Sequence, residues 1–254
     1  MEAHLRRAVD NSELQLHYQP QVDAKDGRVI GMEALVRWKH PEMGMVSPGR
    51  FIPVAEESDL IVTIGSWVME EACRETKALL DEGFAIGHVA VNLSPRQFRD
   101  ERLILKVADI LSHTGLDARH LELEITEGLA MKDVDSVVTK LKELKSLGLM
   151  MAIDDFGTGY SSLSYLRRFP IDRLKIDQSF TREVNSSSDG AAIARAVIQL
   201  GHALDLKVIA EGVETEDQLD FLRENECDEI QGYFFSRPLD PQALRAFLLA
   251  RNPS

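Results

Sequence analysis

A chain of 254 residues with 44% apolar and 28% charged side chains has material for one barrel-sized core or two small ones. Its formal net charge of −13 argues against a nucleic-acid duplex or an anionic membrane as main partner, so a phosphate ligand would need a cation to mediate. Cys73 and Cys227 are too few for a disulfide framework and lack the paired spacing of a zinc site. The opening "MEAHLRRAVD" is charged, reads as a lead-in helix over residues 1–12 rather than a signal peptide, and points to a cytoplasmic location. "LQLHYQPQVDAKDGRVIGMEALVRW" then alternates, turns at Asp26-Gly27 and alternates again, which predicts a β-hairpin. The longest apolar stretch, around "LIVTIGSWVM", is too short to span a bilayer. Beyond the hairpin the apolar runs "GHVAVNL", "HLELEIT", "LMMAIDD", "DRLKID", "LKVIAEG" and "DEIQGY" alternate with helical patterns such as "VDSVVTKLKELKSLG" and "GAAIARAVIQLGHAL". Gly83, Gly115, Gly148 and Gly201 stand at or near the expected helix ends. "NSSSDG" at 185–190 reads as a loop, and no repeat interrupts the pattern. The expectation is a single domain over 1–254, an α/β TIM-like (β/α)8 barrel whose opening hairpin makes the first strand antiparallel.

Barrel strands deliver their C-terminal ends to one rim. Glu33 lies on the second hairpin arm, Asn92 ends "VAVN", Glu124 ends "LELE" and Asp154 ends "MMAID". Lys175 lies in "RLKID", Glu211 ends "VIAE" and Gln231 lies in "EIQG". Four acids, an asparagine, a lysine and a glutamine should therefore surround one cavity. Such a set of hard oxygen donors suits Mg²⁺ or Mn²⁺ better than zinc. "MAIDDFGTGYSSL" adds Asp155 directly after Asp154; two adjacent like charges in a half-buried place call for a cation between them.

These residues carry a resemblance. "EALVR", "VNLS", "EITE", "DDFGTGYSSL", "KID", "EGVE" and "QGY", in order between "YQP" at 18–20 and "SRPL" at 236–239, resemble the EAL domain family of cyclic di-GMP phosphodiesterases. The resemblance implies hydrolysis of cyclic di-GMP to linear pGpG by a water activated between two metal ions. It implies Glu33, Asn92, Glu124 and Asp154 as ligands of one ion, and Asp154 with Asp155 as ligands of the second. It further implies Lys175 as the group holding the attacking water, Glu211 as general base, Glu127 and Glu214 as supporting carboxylates, and a homodimer. Arg37, on the same strand face as Glu33, has the fork geometry to clamp a phosphate, and Gln19 and Gln231 suit a guanine edge or a ligated water. Ca²⁺, with more numerous and longer ligand bonds, is expected to bind and inhibit.

Blander readings stand beside these. Asp154-Asp155 alone reads as a helix cap with a solvated neighbour, and Lys175 alone as an ion-pair partner or a Schiff-base lysine. Glu122, one pleat deeper than Glu124, reads as a structural carboxylate satisfied by a neighbour. Phe51, Phe156 and Tyr160 fit core packing as well as a base pocket, and His17, His88 and His202 read as packing or surface residues. A cyclic di-GMP receptor that binds without cutting is the alternative function.

Overall fold

The start of β1 at Leu14 follows from the alternation of the hairpin, whose arms β1 (Leu14–Asp23) and β2 (Val29–His40) pair antiparallel. Asp23 Oδ1 accepts the amides of Lys25 and Asp26, and Gly27 supplies the positive φ that closes the turn. These elements belong to a computed structural model that describes residues 1–9, 11–131, 133–159 and 163–251. A short β3 (Gly44–Val46) adds to the far end of β2. The predicted apolar runs form β4 (His88–Asn92), β5 (Leu121–Thr126), β6 (Met150–Phe156), β7 (Arg173–Ile176), β8 (Lys207–Ala210) and β9 (Glu229–Gln231).

From β2 through β4 to β9 every neighbouring pair is parallel. β1 pairs antiparallel with both β9 and β2 and so closes an eight-stranded barrel, with β3 as one extra strand. The fold is the TIM-like barrel with an antiparallel first strand expected from the hairpin. Helices cover the outside through apolar stripes: Leu60–Asp81 buries Ile61, Ile64, Val68, Met69, Ala72 and Leu79 at three- and four-residue steps. Phe51 and Phe156 belong to this core, Phe51 with its ring edge-on to Trp38. Tyr160 lies outside the described residues. Among the described residues no helix is long and apolar enough to cross a membrane.

Two local expectations change. "NSSSDG" is a loop only in its first half: the helix Ser188–Ala203 starts inside it, because Ser187 Oγ accepts the amides of Asp189 and Gly190 as an N-cap. Gly83, Gly115 and Gly148 take positive φ, whereas Gly201, near the end of that helix as expected, keeps helical backbone. There a Cβ would stand 2.3 Å from Val208 Cγ2, so close helix–strand approach requires the glycine.

Candidate active site

Side chains that alternate along each barrel strand fall into layers, and two adjacent layers here are ionic rather than aliphatic. In the deeper one, Arg173 of β7 pairs with Glu122 of β5 and, at 2.8 Å, with Glu229 of β9. Two residues further along the same strands, Lys175 faces Glu124. Lys175 is fully buried, with Nζ 2.7 Å from both Glu124 Oε2 and Glu211 Oε1, 3.3 Å from Asp154 Oδ1 and 3.9 Å from Glu33 Oε2. Burial opposes its charge, but Asp154, Glu124, Glu211 and Glu33 together raise its pKa well above the usual lysine value. This disposes of the Schiff-base reading, which needs a neutral amine. Glu122 has the expected neighbour only in part: Arg173 engages its Oε2, while its Oε1 is buried with no hydrogen-bond partner among the described residues.

Strict alternation would send Asp154 and Asp155 to opposite faces of β6. Instead, Ile153 pairs with Leu174 and Phe156 with Ile176, so β6 spends three steps where β7 spends two. The extra residue is a β-bulge at the two aspartates. Asp155 turns left-handed at φ 54°, a conformation aspartate tolerates, and its amide binds Asp154 Oδ1 at 2.9 Å. Carboxylate oxygens of Asp154, Asp155 and Glu211 consequently lie within 4.8 Å of one another.

The other candidates are distributed around this centre. Asn92 Nδ2 donates to Glu33 Oε1 at 2.6 Å and Gln231 Nε2 to Glu33 Oε2 at 2.5 Å. Gln231 Nε2 also approaches Gln19 Oε1 at 3.3 Å, and Gln19 Nε2 donates to the Ser236 carbonyl. Glu127 Oε2 accepts the amides of Gly157 and Gly159, tying down the segment after Asp155. Glu214 sits at the rim, 3.6 Å from Arg182. A cavity of about 190 Å³ is lined by Gln19, Glu33, Asp154, Glu211, Glu214 and Gln231 among others. Arg37 lies apart, donating to its neighbour's carbonyl and lining an adjoining, largely apolar cavity that Asn92 also borders.

The sequence model of the EAL domain matches residues 2–238. The chain belongs to the EAL domain family. It is 48% identical over 242 residues to the bifunctional diguanylate cyclase/cyclic di-GMP phosphodiesterase MucR of Pseudomonas aeruginosa, covering 95% of this chain and 35% of MucR. To the cyclic di-GMP phosphodiesterase NbdA of the same organism it is 47% identical over 250 residues, covering 98% of this chain and 32% of NbdA. This EAL domain thus spans about a third of the curated relatives it matches. A solved structure of the PaMucR phosphodiesterase in complex with c-di-GMP superposes with a TM-score of 0.93 at 47% identity, covering 95% of this chain and 98% of that one.

The EAL site is chemically suited to divalent cations. Four carboxylates face a single ammonium, so the layer carries excess negative charge. Glu124 Oε1 is buried with no hydrogen-bond partner among the described residues, although its other oxygen is engaged by Lys175. All the donors are carboxylate or amide oxygens, the hard set that Mg²⁺ and Mn²⁺ take. Without metal, the excess charge is relieved by protons: burial and Asp154 push Asp155 up to about 6, and burial and Asp154 lift Glu211 to about 8 against the pull of Lys175.

Both acids therefore hold protons more tightly folded than unfolded. Their contribution to stability is complete below about pH 4 and is lost as pH rises through about 6 and then about 8. The melting temperature in chelator is expected to fall across that interval, while Mn²⁺ affinity rises and binding releases protons. A chelated protein whose melting temperature stays level or climbs from about pH 5 to about pH 8.5 would show the carboxylates to be already ionised.

Two further members of these layers, Asp177 and Gln21, stand outside the residues singled out from sequence, and a third, His88, reads there only as a packing or surface residue. Asp177 ends "KID", caps the helix Gln178–Glu183 by accepting the Ser179 amide and, after burial and Asp154, helps to raise the pKa of Asp155. Gln21 shares a strand face with Gln19, a signal present in "QPQ". His88 is buried, as a packing residue would be, but its ring nitrogen is hydrogen-bonded to Gln21 at 2.8 Å.

Proposed function

We propose that this EAL domain hydrolyses cyclic di-GMP to linear pGpG in a metal-dependent reaction. The observation that carries the reading is Lys175, buried against Glu33, Glu124, Asp154 and Glu211 at the rim where the strands end. Glu33, Asn92, Glu124 and Asp154 would hold one Mg²⁺ or Mn²⁺, and Asp154 with Asp155 a second. Charge neutralisation of the phosphodiester and activation of water are what such a pair supplies when bound. Lys175 keeps a positive charge that favours the deprotonated form of a neighbouring water. Glu211 offers Oε2 as proton acceptor, its Oε1 being turned to Lys175. Arg37 clamps phosphate oxygens, Gln19 and Gln231 border the nucleotide, and Glu127 and Glu214 support the segments that carry Asp155 and Glu211. The same reading treats residues 1–254 as one cytoplasmic phosphodiesterase unit that works as a homodimer; full activity of a monomer across a wide concentration range would remove the dimer from it.

Chromatography of products after incubation with cyclic di-GMP and Mg²⁺ tests the reading. Accumulation of linear dinucleotide is the expected result. Tight binding with no product under any divalent ion would turn the assignment to a receptor. In Ca²⁺ we expect binding to persist and hydrolysis to stop, because Ca²⁺ takes six to eight ligands at about 2.3–2.6 Å where Mg²⁺ holds a tight octahedron at about 2.0–2.1 Å. Added to a Mg²⁺ reaction, Ca²⁺ should inhibit competitively with the metal. Equal turnover in the two ions would overturn the proposed activation of water by the metal pair.

A further inference from the structure

Beneath Glu33 a chain of amides crosses the barrel to a histidine on the other side of the hairpin. Register places four residues of adjacent strands in one layer: Gln231 of β9 opposite Gln21 of β1, Gln21 opposite Gly31 of β2, and Gly31 beside His88 of β4. Gln231, Gln21 and His88 are all buried. Gln231 Oε1 meets Gln21 Nε2 at 2.9 Å, and Gln21 Oε1 meets His88 Nε2 at 2.8 Å. His88 and Gln21 sit two strands apart, so the ring has to pass over β2. It can do so only because residue 31 is glycine: a Cβ there would lie 2.3 Å from His88 Cε1 and 2.7 Å from each ring nitrogen.

The polarity of this chain follows from one end. Gln231 Nε2 donates to Glu33 Oε2, so the NH₂ of this amide faces the carboxylate. That turns the Gln231 oxygen to Gln21, which must then present its own NH₂ and turn its oxygen to His88. His88 must therefore be the Nε2–H tautomer. With its NH₂ shared between Glu33 and Gln19 and its oxygen taken by Gln21, Gln231 has its hydrogen-bonding groups occupied within the protein. Burial, with Arg173 nearby, keeps the His88 imidazole neutral, which a single-tautomer donor needs.

We propose that His88 and Gln21 are positioning residues, a donor relay made possible by Gly31 that fixes the Gln231 amide and so orients Glu33 toward the metal. This inference rests on the metal-dependent reading above and reassigns Gln231 from nucleotide contact to the alignment of Glu33. Groups that orient metal ligands typically change metal affinity or activity by 10–100-fold when removed.

The experiment is calorimetric titration of Mn²⁺ alone into folded protein, with melting curves as control. His88→Met and Gln21→Met, which fill space without donating, should each weaken Mn²⁺ by roughly 10–100-fold. The double variant should lose little more than either single one, because both break the same chain. His88→Gln, whose amide nitrogen can replace Nε2, should recover most of the affinity, whereas a packing role would favour methionine over glutamine. Nitrogen NMR of the unsubstituted protein should show His88 protonated at Nε2 and not at Nδ1, a readout that needs no variant to fold. Wild-type Mn²⁺ affinity in His88→Met, or protonation at Nδ1, overturns the relay while leaving the phosphodiesterase reading intact. A wild-type protein that binds no Mn²⁺ overturns both.

Discussion

Glu211→Gln should lower cyclic di-GMP turnover by roughly 10²–10⁴-fold, the range lost with a general base, while metal-dependent nucleotide binding stays within a few-fold of wild type. The substitution keeps the side-chain volume beside Lys175 and removes the only function assigned to Oε2, acceptance of a proton. Glu211 is placed for that task by geometry: its Oε1 lies 2.7 Å from Lys175 Nζ, which leaves Oε2 for the proton, and bound metal would favour the ionised carboxylate that a base requires. Product formation in excess metal, paired with a binding titration, reads the two effects separately. The same carboxylate lies within 4.8 Å of Asp154 and Asp155, and this gives the alternative a distinct signature. If raising Mn²⁺ restored turnover, Glu211 would be a metal ligand rather than the base.

Lys175→Met should be the more damaging change, because it alters the fold's stability as well as the reaction. The ammonium is the one positive charge within 4.0 Å of Glu33, Glu124, Asp154 and Glu211 among the described residues, and it is completely buried. Removing one partner of a buried ion pair leaves uncompensated charge and costs about 3–5 kcal/mol. The loss should be largest in metal-free protein at neutral to alkaline pH and shrink as the pH falls, since the carboxylates can then take up protons instead. Mn²⁺ should restore part of the stability by supplying positive charge in the same layer, but turnover should remain at least about 10²-fold down, as the group that favours deprotonated water is gone. A chelated variant that melts within about 2 °C of wild type at pH 8 would mean that Lys175 does not hold the cluster together.

Much of this molecule is legible in the order of its residues. The alternation on either side of the 23–28 turn determines a hairpin, and a hairpin at the head of a βα series determines an antiparallel first strand. The ends of the apolar runs place Glu33, Asn92, Glu124, Asp154, Lys175 and Glu211 at one rim, because parallel strands share a direction. Period two also carries Glu122 beneath Glu124 and Arg173 beneath Lys175, so the two ionic layers are written into the strands.

Other features depend on what crosses between strands, and no local pattern specifies that. The same alternation that locates Asp154 would send Asp155 to the opposite face; only the mismatch of β6 against β7 brings both carboxylates toward Glu211. The sequence supplies a cluster of acids and a lysine but not their separations, and it is those separations that make Lys175 the centre of the charge. Gln21, Gly31 and His88 lie on three strands and carry no shared motif. Their relation exists only once the barrel has closed, when register sets them side by side and the missing Cβ of Gly31 lets one ring reach across.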